Sequence, residues 1–210
     1  MKKLILPLLV AGALAVPSLA LAESYYVSVS SGLNLLKNST IDYEYPDLFM
    51  YPPYTFKYKP GVAVNGAVGL KSGVLRLEAE VGFHDNKVDE IIDNIETKQH
   101  KVELDLSAWT FMANGYYDID MFGSGVKPYL MGGLGSARVS IHNPVYGMGT
   151  SVTFAWQVGA GLGIKASKDI TIDLGYRYLK PSTLKENTDY GIGKYTFGGS
   201  EILAGLRFAL

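Results

Sequence analysis

The sequence predicts an all-β fold: an eight-stranded antiparallel up-and-down transmembrane β-barrel with four longer extracellular loops and short periplasmic turns. Three observations lead there. Apolar and polar residues alternate at period two in segments of about ten residues. The connections between these segments alternate long and short along the chain. Glycine (24) and tyrosine (15) are abundant and 48% of residues are hydrophobic, yet no continuous apolar run of spanning length follows residue 22. Only helices and closed barrels satisfy every backbone group in lipid, so a chain without spanning helices leaves a barrel or a soluble periplasmic domain.

The clearest segment is Phe154 to Leu179. Phe154, Trp156, Val158, Ala160, Leu162 and Ile164 share one face, against Thr153, Ala155, Gln157, Gly159, Gly161, Gly163 and Lys165. After the turn Ser167-Lys168-Asp169 the pattern resumes, with Ile170, Ile172, Leu174, Tyr176 and Tyr178 against Thr171, Asp173, Gly175, Arg177 and Leu179. The continuous face is aromatic and apolar, as lipid requires. The other carries glycine and charge, as a narrow lumen requires. A soluble sheet would rarely have so glycine-rich a polar face.

The ends agree. Met1-Lys2-Lys3, the apolar stretch Leu4–Val16 and Ala20-Leu21-Ala22 form a secretory signal peptide, so 1–22 is set apart from a barrel domain over 23–210. The apolar stretch is shorter than the roughly 20 residues a spanning helix needs. Losing Lys2 and Lys3 moves the formal charge from -1 to -3, which gives no basic footprint for nucleic acid. With no cysteine, an exported chain must be held by its sheet rather than by disulfides.

In order, strand one covers 24–35, with Tyr25, Val27, Val29, Leu33 and Leu35 outward and Tyr26, Ser28, Ser30, Gly32 and Asn34 inward. Strand two (62–70) and the tight turn Lys71-Ser72-Gly73 lead to strand three (74–84), where Leu75, Leu77, Ala79, Val81 and Phe83 oppose Arg76, Glu78, Glu80 and Gly82. Strand four (102–118) starts with Leu104 and Leu106 outward and Glu103 and Asp105 inward, and a bulge near Ser107–Trp109 would shift the phase. Strand five (127–141) is too glycine-rich for its faces to be assigned. The hairpin above supplies strands six and seven. Strand eight (195–210) sets Ile202, Ala204, Leu206, Phe208 and Leu210 against Glu201, Leu203, Gly205 and Arg207. The long connections 36–61, 85–101, 142–150 and 180–194 all follow odd strands and so share one side of the membrane. Aromatic residues then cluster at two levels. Tyr25, Tyr116, Tyr117, Tyr129 and Phe208 lie near the periplasmic rim, and Phe83, Phe154, Trp156, Tyr176 and Tyr178 near the outer rim.

Gly159-x-Gly161-x-Gly163 followed by Asp173-Leu174-Gly175-Tyr176-Arg177-Tyr178 resembles the opacity-like outer-membrane barrels. So do Asn114-Gly115-Tyr116-Tyr117-Asp118 and Pro128-Tyr129. These are grouped with the outer-membrane protein A-like, or porin-family, surface antigens of Gram-negative cells. The resemblance covers the barrel, most specifically 110–180, and not the loops. It implies location in the cell outer membrane, contact with outer-membrane lipid and lipopolysaccharide, and insertion by the barrel-assembly machinery. The C-terminal Gly205-Leu206-Arg207-Phe208-Ala209-Leu210 is similar to the assembly signal, with Gly205, Phe208 and Leu210 as its marks, but ends on Leu rather than an aromatic residue.

Four places could carry function. On the phases above, Arg76, Glu78, Glu80, Glu103, Asp105, Lys165, Asp173, Arg177, Glu201 and Arg207 project into a lumen just wide enough for side chains to fill. They make either an ion-pair network that plugs the barrel or the lining of a narrow channel for ions or small solutes. Charges buried there must be paired. The segment 36–61 carries Tyr43, Tyr45, Phe49, Tyr51, Tyr54, Phe56 and Tyr58 among prolines, the composition of a surface-recognition or adhesion loop, or of a segment folded onto the rim. The loop 85–101 has Val88, Ile91, Ile92 and Ile95 at helical spacing, which fits a short helix or a strand extension. Its acids do not match a Ca²⁺ loop, and no cofactor is expected. Enzyme chemistry would rest on Ser140 and His142, without a nucleophile elbow or an orienting acid. His84, His100 and His142 fall at strand ends or in loops, where a histidine is usually solvated. The expectation is a non-enzymatic surface protein serving recognition, adhesion or envelope integrity.

Overall fold

A computed structural model describes residues 24–43, 54–93, 99–100, 104–120, 125–143, 147–188 and 191–210. In chain order the strands are β1 (Ser24–Leu36), β2 (Ser39–Tyr43), β3 (Tyr54–Tyr58), β4 (Gly61–Ser72), β5 (Leu75–Asp93), β6 (Gln99–His100) and β7 (Asp105–Asp118). They continue with β8 (Val126–Asn143), β9 (Gly147–Lys165), β10 (Ile170–Pro181), β11 (Leu184–Thr188), β12 (Gly191–Tyr195) and β13 (Gly199–Ala209).

Eight of them, β1, β4, β5, β7, β8, β9, β10 and β13, pair antiparallel with their neighbours, and β13 returns to β1 over the register Tyr26↔Ala209 to Leu36↔Gly199. The barrel is therefore closed and has no free edge, which is what allows a sheet to sit in lipid. Alternation decides which face each residue takes. Val29, Val64, Val68, Leu134, Phe154 and Ile202 are exposed on the outer wall, while Asn65, Arg76, Glu80, Gln157 and Glu201 are buried within. The β4–β5 hairpin turns at Gly73, whose φ of 57° is one that L side chains rarely adopt. In the β9–β10 turn, Ser167 Oγ accepts from the backbone N–H of Asp169 (3.3 Å) and of Ile170 (3.1 Å).

Several expectations are corrected. No bulge interrupts β7: its pairing with β5 and β8 runs without a break from Asp105 to Tyr117. Even residues face inward throughout, so Leu104 and Leu106 are buried and Asp105 is exposed, the reverse of the predicted phase. The cause is a change of lumen chemistry. At the long-loop end the interior is an apolar cluster of Leu106, Ala137, Val139, Ala155, Leu179 and Phe197, packed by Leu36, Tyr58, Ala108 and Ile141. A leucine facing inward there is solvated by other side chains, not by charges. On β8, odd residues face inward (Tyr129, Met131, Ala137, Val139). Tyr116 and Tyr129 consequently leave the lipid girdle and meet edge-on inside the lumen at 5.6 Å. The outer girdle keeps Phe83 against Trp109 (5.0 Å) and Trp156 against Tyr178 (5.9 Å).

The long connections are not loops alone. β5 continues to Asp93, so Val88, Ile91 and Ile92 belong to a strand extension and not to a helix, while Ile95 lies outside the described residues. On this extension β3 pairs from Tyr54↔Asp93 to Tyr58↔Val88, and β2, β12 and β11 add outward in turn. The chain from 180 likewise turns back through β11 and β12 before β13 begins at Gly199, later than the predicted 195. A second small sheet thus rises from one side of the barrel mouth.

Candidate functional site

The lumen is built in layers from the inward position of each strand. At the short-turn end Arg207 donates Nε and Nη2 to the two carboxylate oxygens of Asp173, both at 3.1 Å. Lys71 Nζ and Arg76 Nε donate to the two oxygens of Asp118, each at 2.9 Å. Glu78 accepts from the Tyr26 hydroxyl at 2.8 Å and from the Tyr116 hydroxyl at 3.0 Å, with Arg76 Nη1 3.6 Å away. The Arg76 guanidinium also lies 4.2 Å over the Tyr116 ring.

Arg177 holds the middle. Its Nε donates to Glu201 at 2.6 Å, Nη1 donates to both oxygens of Glu80 at 2.9 Å, and Nη2 donates to Asn65 Oδ1 at 2.9 Å. This planar, forked geometry is one an arginine provides and a lysine does not. Gln157 Nε2 donates to Asn114 Oδ1 at 2.7 Å and reaches Glu80 at 3.4 Å. Above, His84 Nδ1 sits 3.1 Å from Glu201 Oε1, and Nε2 sits 3.1 Å from Thr110 Oγ1. His84 is 3% exposed, so the expectation of a solvated rim histidine is overturned. Asn86 closes the polar part, its Oδ1 accepting from Asn34 Nδ2 at 2.7 Å and its Nδ2 donating to the backbone carbonyls of Asn34 and Lys59.

The structure brings these charges together in two buried sets, Arg76 with Glu78 and Arg177 with Glu80 and Glu201, with Asp173 and Arg207 as a less buried pair. It does not bring in Asp105, which is exposed on the outer face, or Lys165, which is exposed at the mouth. Glu103 lies outside the described residues. Sequence reasoning missed His84, Asn86, Thr110, Asn114 and Asp118. Extending the even inward phase of β5 from Arg76 past Gly82 would have found His84 and Asn86. Among the described residues one small cavity of about 60 Å³ lies beside Glu78, Glu80 and Arg177, and another of about 40 Å³ beside Asn34, His84 and Phe197. Glu201 and Gln157, which are 0% and 1% exposed, line neither, and their layer separates the two.

Of the aromatic residues of 36–61, Tyr43 and Tyr54 lie in β2 and β3, whereas Tyr45, Phe49 and Tyr51 lie outside the described residues. Phe56 is opposite Ser39 in the β2–β3 register. Tyr58 turns toward the barrel mouth, where its hydroxyl and Ser39 Oγ are 2.6 Å apart and burial pushes its phenol up to about 12. Ser140 Oγ lies 3.2 Å from Thr150 Oγ1 across the β8–β9 pair. The side chain of His142 lies outside the described ones, although its backbone pairs with Asp105 and Met148. Among the described residues no cluster of His, Cys, Asp and Glu is arranged to hold a metal ion.

A closed barrel of eight strands, apolar outside and ion-paired inside, defines a transmembrane β-barrel of the outer-membrane type. The chain belongs to the outer membrane protein beta-barrel domain family, whose model matches residues 6–208, and this places it in the outer membrane. Its fold is similar to that of Neisserial surface protein A (NspA), at 19% identity and a TM-score of 0.55, over 89% of this chain and 97% of that one. It is also similar to the outer membrane protein OprG from Pseudomonas aeruginosa, at 12% identity and a TM-score of 0.52, over 89% and 97% of the two chains. No curated protein matches it.

Proposed function

We propose that this barrel is a non-enzymatic surface protein whose lumen is a structural plug and whose extracellular strands, chiefly those of 36–61, form its recognition or adhesion surface. The observation that carries this reading is the central layer. Arg177 bonds Glu80, Glu201 and Asn65 across the lumen, Gln157 reaches Glu80, and an apolar cluster caps them on the extracellular side. A hydrated ion would have to break several charge-assisted hydrogen bonds to pass. The small sheet gives the outer end a framed surface: Ile41, Tyr54, Tyr195 and Leu184 stand in one cross-strand row. Aromatic residues held on strands lose little entropy on binding. On the same reading lipid and lipopolysaccharide surround the aromatic girdles, and the assembly machinery reads β13 with Gly205, Phe208 and Leu210.

The test compares wild type with a Tyr43→Ser, Tyr54→Ser, Phe56→Ser variant of unchanged surface level. Loss of binding to host cells or extracellular matrix supports recognition. Unchanged binding removes it and leaves envelope integrity, read as detergent sensitivity of a deletion strain. Unitary conductance steps of wild type in a planar bilayer would replace the plug with the narrow channel. For the enzyme reading, a changed lipid A profile in His142→Ala would revive it.

A further inference from the structure

At the periplasmic mouth, cationic side chains converge on an open vestibule of about 340 Å³. Lys71 on β4, Lys127 on β8, Lys165 on β9, Lys168 in the β9–β10 turn and Arg207 on β13 all line it, with Asp118 and Asp169. The register explains why these charges face the lumen and not the headgroups. Lys71 continues the inward series Ala63, Asn65; Lys127 the series Met131, Tyr129; Lys165 the series Gln157, Gly163; and Arg207 follows Glu201. The outward neighbours Leu70, Ile164 and Phe208 are apolar.

Their pairing is unequal. Asp118 is taken by Lys71 and Arg76, Asp173 by Arg207, and Asp120 by Lys127 at 3.0 Å. Among the described residues Lys165 and Lys168 have no ion-pair partner, and Asp169 is the one remaining acid on the wall. Mobile ammonium groups without fixed partners suit a multivalent anion whose charge is spread over several oxygens. We propose that this vestibule is a binding site for a phosphate-class oxyanion, held by Lys165 and Lys168 and assisted by Lys71 and Lys127. The phosphate reaches it either as a soluble periplasmic anion or as the headgroup of an inner-leaflet lipid.

The probe is inorganic pyrophosphate, titrated calorimetrically into the full chain refolded in maltoside micelles at low salt. Saturable binding near one per barrel is expected, weakening as salt is raised. Lys165→Gln with Lys168→Gln should weaken it about fivefold or more, on the scale of exposed ion pairs. Lys57→Gln with Lys59→Gln, at the opposite end, should leave it unchanged. Heat-dependent gel mobility confirms that both variants are folded barrels. Absence of saturable binding at millimolar pyrophosphate, or equal affinity in the mouth variant and wild type, overturns the site. Repeating the titration in phosphatidylglycerol and phosphatidylcholine nanodiscs assigns the source. Loss of binding in the former alone identifies the headgroup, and retention identifies the soluble anion.

Discussion

Arg177 is the sharpest point at which to perturb the barrel. Replacing it with methionine keeps the stem and removes four short hydrogen bonds to Glu201, Glu80 and Asn65. Two carboxylates then stay in a layer where Glu201 is 0% and Glu80 6% exposed, with His84 and Gln157 as their remaining partners. Breaking a buried ion pair by removing one side costs about 3–5 kcal/mol, because the other charge is stranded. With an m-value of about 2 kcal/mol per molar urea, the midpoint should fall by about 2 M. The stranded charge also makes a second prediction. Adding Glu80→Gln and Glu201→Gln to Arg177→Met should recover most of the loss, since replacing a whole buried ionic set is often nearly neutral. The assay is urea unfolding of protein refolded into lipid vesicles, followed by gel mobility without boiling. A single variant losing under about 1 kcal/mol, or a triple variant no better than the single, would refute the view that the central layer is held by mutual charge compensation.

Two further predictions follow from packing and titration. A Cβ at inward Gly161 would collide with the Tyr129 hydroxyl and the Leu174 carbonyl, while outward Gly115 has only distant neighbours. Gly161→Leu should therefore cost about 1–3 kcal/mol or abolish the heat-shifted form, and Gly115→Leu should be tolerated; equal behaviour would contradict the assigned faces. Tyr58, held neutral chiefly by burial against a smaller opposing effect of its bond to Ser39, ionises in the folded protein at about 12. Because this lies above its ordinary value near 10, its contribution to the small sheet is complete below pH 10 and is lost as pH rises through 12. Phenolate absorbance should show one tyrosine fewer titrating near pH 10 in wild type than in Ser39→Trp, in which the pocket is displaced; identical curves would sink the assignment.

Much of the barrel was legible because a strand in lipid has a two-letter code. Val29 against Ser30, Leu77 against Glu78 and Leu174 against Asp173 each declare their faces locally, and short turns such as Lys71-Ser72-Gly73 fix the direction. The code fails where the lumen itself becomes apolar. Leu106 faces inward for the same reason that Phe197 and Val139 do, and nothing local separates it from a leucine facing lipid. Tyr116 and Tyr129 are ambiguous for a related reason: an aromatic ring with a hydroxyl suits both a headgroup girdle and a polar lumen, where Tyr116 bonds Glu78.

The sequence by itself therefore determined the strand number, the sidedness and most of the lumen's charged residues, since alternation and connection length are local properties. Only the tertiary structure decided who meets whom. Arg177 joins Glu80, which is 97 positions away in the chain, and His84 reaches Glu201 because closing β13 onto β1 brings distant strands across a narrow lumen. The small extracellular sheet is of the same kind. β2, β3, β11 and β12 are each five residues long, too short to announce themselves, and exist because β5 projects beyond the barrel and offers them an edge to pair with.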